Sequence, residues 1–420
     1  MKNRDFYLAG RNISVTQLTF SLLATIVGAS STIGLMGFAY SVGAPAILWL
    51  IFGSLGLFLL SLVYSSFFLK SDNYTIAEFL GKKYGLGVRR IASWVIFLAW
   101  IGIIAAQLLA LKKIIEIFIP ELSSLMVVFL VTLFLAVYTI IGGQRAVIIT
   151  DRVQFLLLIL GFLAVNYIFI KQLDFSCLNK SCGYLKFPLN SNFSVRDLIY
   201  LALILVPVYF IGPDVHSRVF CSKDKNIIKK SLKMAALALL PISILIVSPA
   251  LMLRNVFGVS DAPSILNLFF DILFNHSALF YVFLIALVSA ILSSADSCLM
   301  TSATMFTHDI LSLPEDKNVL YTRIVIFLVA LLAFILSFYF ENIISLLKAS
   351  YSIYISGVFI PFLLIPFKDR LKIKNRAVFI GMLVSGSIGA VSAFSGFKAG
   401  VACSYLTSIF VICILSYLKK

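Results

Sequence analysis

The sequence predicts an all-α polytopic membrane protein of about twelve transmembrane helices, built as two five-helix halves of opposite orientation plus two C-terminal helices. Three observations predict it. Charged residues make up only 12% of the 420-residue chain, and 61% of it is hydrophobic, whereas a soluble domain carries roughly 25% charge. Lys and Arg cluster in alternate gaps between the apolar runs. The first and sixth runs are interrupted at matching places.

The apolar cores lie at 14–38, 44–69, 91–118, 122–142, 146–170, 197–213, 232–255, 278–305, 319–340, 343–366, 375–396 and 399–418. A helical span needs about 20 apolar residues. Strands exposed to lipid would leave backbone groups unpaired, so helices are required. No run alternates as the strands of a membrane barrel do.

Orientation follows from the basic residues. With the N-terminus inside, about 25 of the 34 Lys and Arg, Arg218 among them, fall in inner stretches and about 8 in outer ones. That bias makes both termini cytoplasmic. The net charge of +16 thus reads as cytoplasmic loops, not as a nucleic-acid surface. The division is then a cytoplasmic N-terminus (1–13), a first repeat (14–171), an extracytoplasmic loop (172–196), an inverted second repeat (197–366) and a C-terminal pair (367–420). Five spans is an odd number, so the second half enters from the opposite side, the condition for an inverted repeat.

Each half opens on a broken span. In the first, Val27-Gly28-Ala29-Ser30-Ser31-Thr32 combines a helix-weakening Gly with back-bonding hydroxyls. In the sixth, Pro207 and Gly212-Pro213 remove backbone donors. Paired breaks point to a midplane site, where unwound carbonyls coordinate cations; two ordinary kinked helices read the same way. Six Cys are present, none in a CxxC. Cys177 and Cys182 share one polar loop and either form a disulfide outside the cytoplasm or stay free. No cleavable signal peptide is evident.

The stretch 286–309 carries most chemistry. At 100° per residue Ala290, Ser293, Ser294 and Ser297 share one face, which Thr301 and Thr304 continue. Such a stripe also suits close helix packing. Asp296 beside it favours function, because an ionisable group at membrane depth is costly. A hard cation takes oxygen ligands, and adjacent hydroxyls facing free carbonyls supply them.

Four motifs give a resemblance: Asp5-Phe-Tyr-Leu-Ala-Gly-Arg11, the run from Tyr138-Thr-Ile-Ile-Gly-Gly to Thr-Asp-Arg-Val-Gln154, Gly212-Pro-Asp-Val-His-Ser-Arg-Val-Phe220, and Ser293-Ser-Ala-Asp-Ser297. In order and spacing over roughly residues 5–366 the chain resembles the sodium:solute symporter family of proline, pantothenate, sugar and choline carriers. The resemblance implies a LeuT-type inverted repeat and sodium as coupling ion. It implies a sodium site made by carbonyls of Ala24, Val27 and Ala290 and the hydroxyls of Ser293 and Ser294. It further implies a second cation site at Asp151, Asp296 and Ser297, although Asp151 is read equally as a helix-end residue paired with Arg145 or Arg152.

Two departures matter. Many relatives carry an additional helix before the matching region, and proline carriers have an Asp where this chain has Ile26. A proline-type site is therefore not expected, and Ser-Ser-Ala-Asp-Ser looks more like choline-type relatives.

The solute is placed among the first, third, sixth, eighth and tenth spans. Its candidate ligands are Ser30, Ser31, Trp100, Gln107, Tyr209, Tyr351 and Ser352, any aromatic of which also suits core packing. Lys348 and Glu341 are read as an outer-rim pair, and His216 and His308 as solvated helix-end residues.

The expected function is sodium-coupled symport of a small polar organic solute of amino-acid, betaine/choline or carboxylate type. The protein is expected to work as a monomer among the lipids of a bacterial inner membrane. Proton coupling through Asp296, or a transporter-like sensor or channel, are the alternatives. Scattered His and the absence of GxSxG and HExxH argue against an enzyme. A cytoplasm-only reporter fused after Lys420 is expected to be active and one inserted near Asn179 silent; the reverse pattern would remove the inverted-repeat assignment, which rests on the same charge count.

Overall fold

The structure, a computed structural model, describes residues 3–67, 73–118, 121, 123–172, 183–257, 265–274, 277–313 and 315–417. Cys177 and Cys182 lie outside the described residues.

A short helix α1 (Asn3–Leu8) precedes a broken span, α2 (Val15–Ile26) and α3 (Leu35–Val42). Ser14 caps α2 reciprocally with Gln17, satisfying two otherwise orphan donors. Next come α4 (Leu48–Phe67), α5 (Ile76–Tyr84), α6 (Leu86–Phe118) and α7 (Ser124–Gln172). The second half begins with a second broken pair, α8 (Val195–Ile211) and α9 (Pro213–Val219), followed by α10 (Lys225–Phe257), α11 (Ile265–Phe274), α12 (Ser277–Met305), α13 (Glu315–Ser337) and α14 (Ile343–Leu363). The C-terminal pair is α15 (Asn375–Ser395) and α16 (Gly400–Tyr417).

Among the described residues ten helices are long and apolar enough to cross a membrane, or eleven with the α2–α3 pair, which bends by 61°. The count of twelve differs only at α7. Its 49 residues would run about 74 Å as one helix, against an apolar core of about 30 Å. Gly143 interrupts it with φ 57° and ψ −156°, so the two expected spans at 122–142 and 146–170 meet at a single residue rather than through a loop.

Burial orders the bundle. The spanning part of α6 is the most enclosed, while α7 and α13 present most of their length outward, where Phe134, Ile141 and Leu332 are exposed, as suits lipid contact. α12 packs along α7, α6 and α2, and α14 along α6, α8 and α15. The two breaks, at Val27–Gly28 and at Gly212 (φ −54°, ψ 118°), therefore face α6, α12 and α14.

A Cβ at Gly143 would lie 2.7 Å from the Phe6 carbonyl oxygen, at a positive φ that side chains adopt at a cost of about 1–3 kcal/mol. Gly143→Ala is expected to lower the melting temperature of the purified protein. Gly386→Ala, whose added carbon would meet nothing nearer than 3.7 Å, serves as the control and should not.

Candidate functional site

The site is built where α2 ends. Val27 leaves the helical conformation (φ −93°, ψ 65°), and Ser30–Gly34 wind as one wide π-type turn before α3. Carbonyls near the end of α2 lose their helical partners, which in lipid must be replaced. α12 replaces them. The Ser293 hydroxyl lies 2.9 Å from the Ala24 carbonyl oxygen and 3.1 Å from that of Ala290, and Ser294 donates to Thr25 at 2.8 Å. The approach requires a glycine, because a Cβ on Gly28 would fall 2.1 Å from Ser294 Oγ. The Gln107 side chain on α6 accepts the Ala29 N–H at 2.8 Å. Ala24, Val27, Ala290, Ser293 and Ser294 are all buried. The structure thus brings the serine pair onto the broken helix at Ala24, which the sequence reading named, and at Thr25, which it passed over.

Beside this contact lies a closed cavity of about 30 Å³, enough for roughly one or two waters. Ser30, Trp100, Gln107, Tyr209, Tyr351, Ser294 and Asp214 line it. Ser31 and Ser352 are not among the lining residues. Ser31 turns back to the Ile26 carbonyl at 2.9 Å and Ser352 to that of Lys348 at 2.7 Å. Asp214 was not singled out from sequence; its position directly after the Gly212-Pro213 break was the available signal.

One turn further along α12 is a buried ionic cluster. Arg218 Nη2 stands 3.2 Å from Asp151 Oδ2, with both side chains fully buried. Ser21 donates to the same carboxylate oxygen at 2.5 Å, and Arg218 also reaches Ser21 and Ser297. Asp296 accepts from Tyr138 Oη at 2.5 Å and from Ser297 Oγ at 3.1 Å. Asp151, Asp296 and Ser297 therefore do come together, around an arginine that reasoning from sequence had left among the cytoplasmic loops. The pairing of Asp151 with Arg145 or Arg152 is corrected to Arg218, because α9 continues the sixth span beyond its break and carries Arg218 inward. His216, on the same short helix, is buried and bonded to the Phe210 carbonyl at 3.1 Å, not solvated. Lys348 likewise lies over the Phe38 ring, 4.9 Å from its centre; no pair with Glu341 forms among the described residues.

The two ends of the bundle differ. On the Lys113 side an open vestibule of about 360 Å³ reaches down past Phe38 and Gly34. On the α1–α5 side only about 10 Å³ remains, between Tyr7, Gln144 and Thr304. Polar contacts close that end: Tyr7 with Thr322 at 2.7 Å, Thr75 with Asp309 at 2.6 Å, Arg89 with Asp309 at 2.8 Å and His308 with Glu78 at 3.3 Å. His308 is therefore partly buried and paired.

Paired broken helices, a small buried cavity beside their breaks and an open vestibule on the Lys113 side are the features of a membrane carrier of the LeuT-type fold. The sequence profile of the Sodium:solute symporter family matches residues 6–385, and the chain belongs to that family. It is 26% identical to a sodium/glucose cotransporter of Vibrio parahaemolyticus over 347 residues, 73% of this chain and 62% of that one. It is 31% identical to the human sodium/myo-inositol cotransporter over 171 residues, 40% of this chain and 24% of that one. The chain thus matches less than two thirds of the length of either relative. The substrate-bound, outward-open structure of a Na⁺-coupled sialic acid symporter superposes with a TM-score of 0.81 at 18% identity, covering 100% of this chain and 93% of that one. Mhp1, a nucleobase-cation-symport-1 family transporter in a closed conformation, superposes with 0.62 at 13% identity, covering 98% and 92%.

Glu78 offers a check on the closed end. Its burial raises the carboxyl pKa, but bonds from His308, the Tyr74 N–H and Lys82 outweigh that and hold it down at about 2, from an ordinary 4.5. The lowered value means stability that is present above pH 4.5 and lost as pH falls toward 2. Glu78→Gln should melt earlier than the unmodified protein at pH 6, and the gap should narrow at pH 3; a constant gap would assign the loss to packing.

Proposed function

We propose that the protein couples sodium entry to uptake of a small polar organic solute by alternating access. It is an integral membrane protein, and we place it in a bacterial inner membrane with both termini cytoplasmic, working as a monomer. The repeat boundaries at 14–171 and 197–366 belong to this proposal. The observation that carries it is the serine pair of α12 on the freed carbonyls of α2. Each hydroxyl can turn a lone pair toward an ion lying between the helices. Sodium would sit among the carbonyls of Ala24, Val27 and Ala290 and the Ser293 and Ser294 hydroxyls, a ligand set suited to a hard cation. Asp151, Asp296 and Ser297 would hold a second cation, since two carboxylates there face one arginine.

The solute, of amino-acid, betaine/choline or carboxylate type, would occupy the cavity lined by Ser30, Trp100, Gln107, Tyr209 and Tyr351, with Ser31 beside it; Ser352 is not retained as a ligand. The chain's vestibule on the Lys113 side supports an outward-facing form, given the orientation from basic residues. The energetics suffice. One sodium descending about 100 mV releases about 2.3 kcal/mol, and a tenfold gradient about 1.4 kcal/mol more, enough for roughly 500-fold accumulation in the ideal limit.

Ser293→Ala and Ser294→Ala each remove one ligand but only one oxygen's volume, and a membrane hydroxyl bond averages about 0.6 kcal/mol. Both should express near normally and need several-fold more sodium for half-maximal binding, measured as sodium-induced thermal stabilisation. Ser302→Ala, on the opposite face and bonded only within its own helix, should leave the sodium response unchanged. If all three behave alike, the stripe is a packing surface.

A further inference from the structure

Asp214 has no assigned role in the ion sites above, and its placement is informative. Gly212 and Pro213 end α8 and restart the chain as α9, which sets Asp214 at the broken midplane of the sixth span. Its carboxylate accepts the backbone N–H of Val215, and its Oδ1 lies over Gly212. Arg218 lies near enough for its charge to act on this carboxylate but makes no ion pair with it: its Nη1 donates to the Asp214 backbone carbonyl at 3.2 Å, while Nη2 is taken by Asp151 and Ser297.

Asp214 is the only charged residue among those lining the closed cavity. Lys113 lines the separate outer vestibule. Trp100, Tyr209 and Tyr351 line the same cavity, and Tyr354 packs edge-on to two of them, its ring 4.9 Å from Trp100 and 6.5 Å from Tyr351. Trp100 Nε1 is buried without a hydrogen-bond partner.

A carboxylate and aromatic rings lining one small buried cavity have a definite preference. The rings attract a cation through their π faces, and the carboxylate stabilises a positive group far better where water is excluded. A sugar or polyol would bond the carboxylate through its hydroxyls but bring no countercharge of its own, and an organic anion would be repelled by it.

We propose that the transported solute carries a cationic nitrogen, an amine or quaternary ammonium, seated between Asp214 and the rings of Trp100, Tyr209 and Tyr351. This rests on the reading of the cavity as the solute site, and it narrows the solute to one chemical class.

The test uses the full-length protein in detergent, with thermal stabilisation measured at saturating sodium for glycine betaine, choline, L-serine, myo-inositol and lactate. Stabilisation by one or more of the three nitrogen compounds, and by neither myo-inositol nor lactate, is the expected result. The quaternary and primary members separate the two forms of the class. Asp214→Asn should then weaken the effective compound by at least about tenfold, with the sodium-induced shift retained as proof of folding. Stabilisation by myo-inositol or lactate alone overturns the proposal without the variant being needed. Loss of the sodium shift in Asp214→Asn, with solute affinity kept, overturns it too, making the residue an ion ligand. Absence of any sodium shift in the unmodified protein removes the symport reading instead and is thereby distinguished.

Discussion

A helix interrupted in the middle of a membrane exposes carbonyls that water cannot reach, and the contact between α2 and α12 answers that constraint. Each unpaired carbonyl in hydrocarbon costs several kcal/mol, so the break at Val27 is tolerable only with hydroxyls brought to it. Ser293 and Ser294 meet Ala24 and Thr25, and Gly28 permits the approach because any Cβ there would strike Ser294. The same oxygens that satisfy the backbone are the ones a small cation would take. Structure and proposed ion binding thus use one set of atoms, and an arriving ion exchanges hydroxyl–carbonyl bonds for ion–oxygen contacts instead of opening a new cavity.

A second constraint is charge. Asp151 and Asp296 are both buried, and Arg218 is the single basic group bonded within their cluster among the described residues. Partners of Asp296 are the hydroxyls of Tyr138 and Ser297. A buried carboxylate without a cation is unfavourable, so Asp296 is satisfied either by a proton or by a second cation. The proposed second cation would lie next to Ser297, one helical turn from Ser293. The two proposed ion positions are joined by Ser297, which donates to the Ser293 carbonyl at 2.5 Å.

The helical architecture, the paired breaks and the serine stripe were legible because apolar length, Gly and Pro act locally. What stayed hidden depended on where the chain resumes after a break. Residues 214–218 follow a Gly-Pro and hold a His and an Arg, which in a linear reading marks a loop; α9 instead continues the span, burying His216 and Arg218 and turning Asp214 toward the cavity. Gly143 misleads in the opposite sense. The residues around it read as an inner loop, yet helix continues on both sides and one positive φ makes the turn. Thr25 went unseen for a third reason, since its contribution is a carbonyl, which every residue carries and no sequence pattern marks.

For the proposed cycle, the contacts that must break are polar ones gathered at one end of the bundle. The α1–α5 end is closed by bonds between short peripheral elements and the ends of α12 and α13, such as Tyr7 to Thr322 and Glu78 to His308. Tyr7, Thr322, Thr75 and Asp309 are buried, so their polar groups must find new partners, water included, as that end opens. The long α7–α12 packing, by contrast, is the most extensive in the bundle and carries Tyr138 against Asp296. α2 and α9, the two elements that adjoin the breaks, both pack against α12. Ser21, Asp151 and Arg218 lie on that boundary, which makes the buried ionic cluster the place where a change of ion occupancy would be felt as a change in helix position.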